Sequence, residues 1–192
     1  MKEKLEYTGL KYREATPNFE NRDIGWYGFY KNYKGPRGSV KTECTEVPHF
    51  SIFMSDESLS ICVKLHVMNQ PLKDLRKKIK DTEKKRNFFD LLKKLNSSDY
   101  DYEITISEFE RSDKPRKSGD CGSLYSIYSG YIDKRRLETL EKMLLDDSKK
   151  VWFNIYSHLY LADSVESGKN IEEDIVNIIN EWWDIYLFIV GS

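Results

Sequence analysis

The stretch His49-Phe50-Ser51-Ile52-Phe53-Met54, the polar turn Ser55-Asp56-Glu57-Ser58 and the run Leu59-Ser60-Ile61-Cys62-Val63-Lys64-Leu65-His66-Val67 decide how this chain folds. In the second run Leu59, Ile61, Val63, Leu65 and Val67 occupy one side of a period-two pattern, and Ser60, Cys62, Lys64 and His66 occupy the other. Successive side chains of a strand point to opposite faces, so this alternation predicts a strand with one buried side. The polar turn joins it to the apolar run before it, and the pair reads as a hairpin.

Downstream, Pro71 stands where a helix opens, and Leu72, Leu75, Ile79, Phe88, Phe89, Leu91, Leu92 and Leu95 recur at helical intervals with lysines between them. This predicts one or two helices over 71–95 with a break near Asp81. Residues 100–110 alternate Tyr100, Tyr102, Ile104 and Ile106 against Asp101, Glu103, Thr105 and Ser107, which predicts a strand with a wet, acidic outer face. After a polar loop at 114–122, GSLYSIYSGYI reads as a strand, KRRLETLEKMLL as a short amphipathic helix and VWFNIYSHLYLA as a further strand. The closing IEEDIVNIINEWWDIYLFI reads as a helix whose first-turn Glu172, Glu173 and Asp174 favour its dipole. Upstream, the aromatic run GWYGFYKNY predicts a strand near 24–30, residues 34–38 form a basic loop around Pro36, and residues 1–23 read as a loosely packed helix or an extended arm.

Helices are too rare between these strands for a doubly wound parallel sheet. The order predicts a single α+β domain over 1–192, a largely antiparallel sheet with helices packed on one face. A length of 192 residues is that of one domain, and 14% aromatic residues supply large side chains for its core. No apolar run resembles a leader, and none reaches the roughly 18 apolar residues of a membrane helix, so a cytoplasmic location and no membrane partner are expected. Three widely spaced cysteines, Cys44, Cys62 and Cys121, fit reduced thiols.

Chemistry is thin. Glycine-rich phosphate motifs are absent, and with three histidines neither a metal site nor a cofactor is expected. A magnesium-dependent nuclease pattern around Asp56 and Lys64 fails because Cys62 stands where an acid is needed. For a small hydrolase or metal-dependent nuclease the remaining candidates are the loop thiol Cys121 and the carboxylates Asp101 and Glu103.

Charge is segregated although the net charge is only -1. Residues 71–95 carry ten Lys or Arg against four Asp or Glu, whereas residues 163–192 carry one against seven. Basic side chains bind phosphates and aromatic rings stack on bases. Lys31, Lys34, Arg37, Arg76, Lys77, Lys78, Lys84 and Lys85, with Trp26 and Tyr30, are therefore the candidate nucleic-acid-binding residues. Alternatively, the oppositely charged segments form two poles that draw in a protein partner.

Val47-Pro48-His49-Phe50-Ser51-Ile52-Phe53, followed by Leu59-Ser60-Ile61-Cys62-Val63 and a lysine-rich helix, resembles the YktB-type family of bacterial proteins of unknown function. The ending Ile178 to Ile189 is similar to that family's closing helix, with Trp183-Asp184-Ile185 in place of a leucine-proline-leucine step. The resemblance implies an α+β fold and no assigned activity. Gly38 to Phe53 is also similar to the N-terminal DNA-recognition domains of modification-dependent restriction systems, which implies a nucleic-acid or phage-defence role.

Overall fold

In the computed structural model, the residues described are 11–15, 25–30, 33–34, 40–41, 49–54, 58–65, 70–108, 123–148, 151–160 and 170–190. The hairpin forms as its alternation requires. Strand β5 (His49–Met54) pairs antiparallel with β6 (Ser58–Leu65), Ile52 facing Ile61 and Ser51 facing Cys62. Phe50, Ile52, Leu59 and Ile61 are all buried.

The sheet grows from both sides of this hairpin. On one side lies β2 (Gly25–Tyr30), with β1 (Lys11–Ala15) at its edge. Part of the expected N-terminal arm is thus extended and paired, Lys11 opposite Tyr30, and the rest of it lies outside the described residues. Tyr33–Lys34 (β3) and Val40–Lys41 (β4) make a separate two-stranded ladder. On the other side of the hairpin come β9 (Val151–Tyr160), then β7 (Tyr102–Glu108), then β8 (Ser123–Tyr128) at the far edge. The order is β1-β2-β5-β6-β9-β7-β8, antiparallel throughout. Strand β9 fits between β6 and β7 because the chain leaves the sheet after β6 to build helices before it returns.

Those helices are α1 (Gln70–Lys80) and α2 (Thr82–Lys94), with α3 (Lys134–Leu145) and α4 (Ile171–Val190) following later. Asp81 separates α1 from α2: its backbone is extended, and its carboxylate accepts from the Lys84 N–H at 2.9 Å, capping the second helix. Asp133 caps α3 in the same way. The turn into α3 places Gly130 at a φ of 79°, where a side chain is disfavoured.

The four helices of the described residues pack on the face that carries Phe50, Ile61, Ile104, Phe153 and Ile155. Phe50 meets Tyr186 at 4.7 Å between ring centroids, Phe88 meets Phe153 at 6.1 Å, and Tyr102 meets Trp182 at 5.4 Å. Burying each such side chain contributes about 1.5–3 kcal/mol, so this single apolar layer dominates the stability. The α+β class, antiparallel and helix-covered on one face, is the one the sequence predicts.

One expectation needs correction. The outer face of β7 is not wet along its length, since Thr105 and Ser107 are buried. Asn154, opposite Thr105 on β9, is buried on the same face, so this part of the sheet is covered and not open to water.

Candidate nucleic-acid interface

The basic residues of α1 and α2 divide into two groups. Arg76 lies against the C-terminus of α3, where its Nε donates to the Leu144 carbonyl at 2.6 Å, Nη2 to the Asp146 carbonyl at 3.4 Å, and Nη1 pairs with Asp147 at 3.2 Å. Lys78 does the same for α4, donating from Nζ to the carbonyls of Phe188 and Ile189. The last carbonyls of a helix have no intrahelical partner and carry partial negative charge, so a cation there completes both the hydrogen bonding and the dipole. Burial pulls the Lys78 pKa below its ordinary value, with Asp74 opposing the shift. Lys85 pairs with Glu141 of α3 at 3.0 Å. Lys77 and Lys84 are exposed, Lys77 with Asp74 4.0 Å away.

The aromatic candidates lie elsewhere. In the β2–β5 ladder Trp26 is opposite Phe53 and Tyr30 opposite His49, out of phase with Phe50 and Ile52, on which the helices pack. These register positions therefore belong to the face opposite the described helices, and the lysine helices to the other. Lys34 lies in the separate ladder; Lys31, Arg37, Cys44 and Cys121 lie outside the described residues. The described candidates of α1 and α2 and the register positions of Trp26 and Tyr30 thus fall on opposite faces of the sheet.

Nor do the two charge-biased segments form opposite poles. α1 and α2 both pack against α4, with Lys94 3.9 Å from Asp184 and Lys78 at the helix end. The oppositely charged segments lie side by side, and Lys94 and Asp184 meet at the surface, where opposite signs on neighbouring helices lower the cost of bringing them together.

What the sequence reading passed over is the face of β9 opposite the described helices. Val151, Phe153, Ile155 and Ser157 are buried on the helix side, so Trp152, Asn154, Tyr156, His158 and Tyr160 stand on the other. The Tyr156 and His158 rings are stacked, 6.0 Å apart and 9° from parallel, and His158 and Tyr160 are exposed. Ser60 Oγ lies 2.8 Å from His158 Nδ1 and steadies the imidazole. On β7 and β8, Glu103 stands opposite Tyr128, and its charge and its hydrogen bond to the phenol hold the Tyr128 pKa above the usual value. Asp101, just before β7, is exposed.

Beneath this row Asn154 is buried, its Nδ2 3.4 Å from Thr105 Oγ1 and its Oδ1 without a hydrogen-bond partner. Among the described residues no three His, Cys, Asp or Glu side chains cluster closely enough to hold a metal ion, and no helix is long and apolar enough to cross a membrane. A shallow groove of about 310 Å³ between α2 and α3 is lined by Lys85, Arg86, Phe89, Lys134 and Glu141, mixed in charge. No protein-family model matches this chain, and neither does any functionally described protein.

Proposed function

We propose that the protein is a non-catalytic nucleic-acid-binding module that takes a single strand on the face of its sheet opposite α1–α4. The observation that carries this reading is the row Tyr156, His158, Tyr160 along the interior strand β9, with one stacked ring pair and two exposed rings. Unpaired bases stack on aromatic side chains, and a flat antiparallel sheet presents successive rings at spacings that suit successive bases. Duplex bases are already stacked on each other and cannot do this.

Fluorescence anisotropy with labelled oligonucleotides of about 12 nucleotides tests it, a length within the usual single-strand site size. The single strand is expected to bind at least tenfold more tightly than the duplex. Tyr160→Ala is expected to weaken binding roughly 5- to 150-fold, the range of about 1–3 kcal/mol per stacked base. Lys11, Arg13 and Lys64 hold register positions on this same face, so affinity should fall with salt with a slope matching about three phosphates. A steep salt slope together with loss on Lys77→Glu and Lys84→Glu would move the site to the helices. Equal binding of duplex and single strand would end the proposal.

One observation favours a second reading. Ser60 Oγ and His158 Nδ1 are at the separation of a nucleophile and its base, as a small hydrolase requires. Hydrolysis of an activated ester that disappears in Ser60→Ala, with oligonucleotide binding unchanged, would identify an enzyme.

A further inference from the structure

The two edges of the sheet differ. Strand β1, Lys-Tyr-Arg-Glu-Ala, carries three charged residues. Charge on an edge strand discourages another strand from pairing with it. Strand β8, Ser-Leu-Tyr-Ser-Ile-Tyr, carries no charge, no proline and no glycine, and its residues suit a strand. Leu124, Tyr128 and, in the following turn, Tyr131 are three of the four large apolar side chains exposed among the described residues, at 36%, 56% and 63%.

The hydrogen-bond phase fixes which backbone groups the edge offers. The Ser129 N–H donates to the Tyr102 carbonyl at 2.8 Å, so Ser129, Ile127 and Tyr125 turn their backbone groups toward β7. In an antiparallel ladder the alternate residues turn theirs away, which leaves the N–H and carbonyl of Ser126 and the N–H of Tyr128 directed off the end of the sheet. The Tyr128 carbonyl already accepts from the Tyr131 N–H in the turn. A register shift between Ile106 and Ser107 leaves Leu124 without an opposite residue on β7.

We propose that β8 is a dimerisation edge that pairs antiparallel with the β8 of a second copy about a two-fold axis at Ser126. In that register Ser126 exchanges both its backbone hydrogen bonds with its own counterpart. Leu124 and Tyr128 stand two residues either side of the axis, so each meets the other across it, and the exposed apolar side chains cover one another. The occupant is a second copy because an uncharged edge is complementary to an uncharged strand, and β8 is such a strand, symmetric in its apolar positions. Burial of the two strands and these side chains amounts to on the order of 1,000 Å², the lower limit for a specific association. The dimer is therefore weak, and it depends little on salt because β8 itself carries no charge, the Glu103 carboxylate beside Tyr128 belonging to β7.

Sedimentation equilibrium of the full chain from low micromolar to high micromolar concentration tests this. The expected result is a mass rising from 22.8 kDa toward twice that value, little changed in high salt. Ser126→Pro, which removes only a donor directed away from β7, and Tyr128→Lys are expected to restore the monomer at every concentration. Hydrogen exchange on the unaltered chain gives a readout independent of variants: the Ser126 and Tyr128 amides slow with concentration while Ile127 does not. A mass of 22.8 kDa throughout, or association that salt abolishes or that survives in folded Ser126→Pro, overturns the proposal.

Discussion

The lysine-rich helices α1 and α2 and the outward side of β9 lie on opposite faces of one sheet, and they differ in how their side chains are exposed. On the helix side Arg76 and Lys78 close the C-termini of α3 and α4, and Lys85 holds α2 to α3. On the other side His158 and Tyr160 stand exposed beside the half-buried Tyr156. A high local density of lysine and arginine thus records, in part, how many helix ends the fold has to satisfy. Charge density alone is a poor guide to a binding surface when the same cations are needed to join helices.

The largest test of this contrast uses a single strand. Phe153, on the helix side of β9, is fully buried against Phe88, and Phe153→Ala is expected to cost about 3–5 kcal/mol through the cavity it leaves. Tyr160 on the opposite side is exposed, and Tyr160→Ala is expected to change stability by less than about 0.5 kcal/mol. Urea unfolding of both variants measures the difference. Comparable losses would mean that the outward row is core and not surface.

A smaller effect separates two cations on one helix. Arg76→Ala removes a side chain only 13% exposed that makes three contacts with the end of α3, and about 2–3 kcal/mol of stability should go with it. Lys77→Ala removes a side chain 75% exposed with a 4.0 Å ion pair, and less than about 0.5 kcal/mol is expected. If Arg76→Ala were as stable as the wild type and impaired oligonucleotide binding instead, the division between clamp and surface on α1 would be wrong.

How far the sequence was legible follows from the range of each interaction. The hairpin at 49–65 was readable because Leu59, Ile61 and their neighbours alternate cleanly, and the break at Asp81 because a capping residue interrupts a helical period. β9 could be recognised as a strand but its faces could not be told apart. Val151, Phe153 and Ile155 alternate with Trp152, Tyr156 and Tyr160, and both sets are apolar or aromatic. Its insertion between β6 and β7 depends on pairings across nearly a hundred residues, which no local pattern encodes. The same holds for Arg76 and Lys78, whose partners lie 68 and 111 residues away. Nothing near Arg76 in the chain distinguishes it from Lys77.

The smallest expected effect compares two tyrosine–glutamate pairs on the two sides of β7. On the helix side the Tyr102 hydroxyl donates to Glu181 at 2.6 Å, and burial, reinforced by that bond, raises its pKa far above the ordinary 10.0. On the open side Tyr128 is raised by Glu103, but it is exposed and solvent screens the interaction. A tyrosine with a raised pKa stabilises the fold fully below its unfolded value, near pH 10, and that contribution is lost as pH climbs toward the folded value. Tyr102→Phe should therefore cost about 1 kcal/mol at neutral pH and flatten the fall in stability between about pH 10 and 11. Tyr128→Phe should leave that alkaline limb as it is. Urea midpoints across this range decide the matter, and a limb that flattens in Tyr128→Phe but not in Tyr102→Phe would place the stronger coupling on the open side.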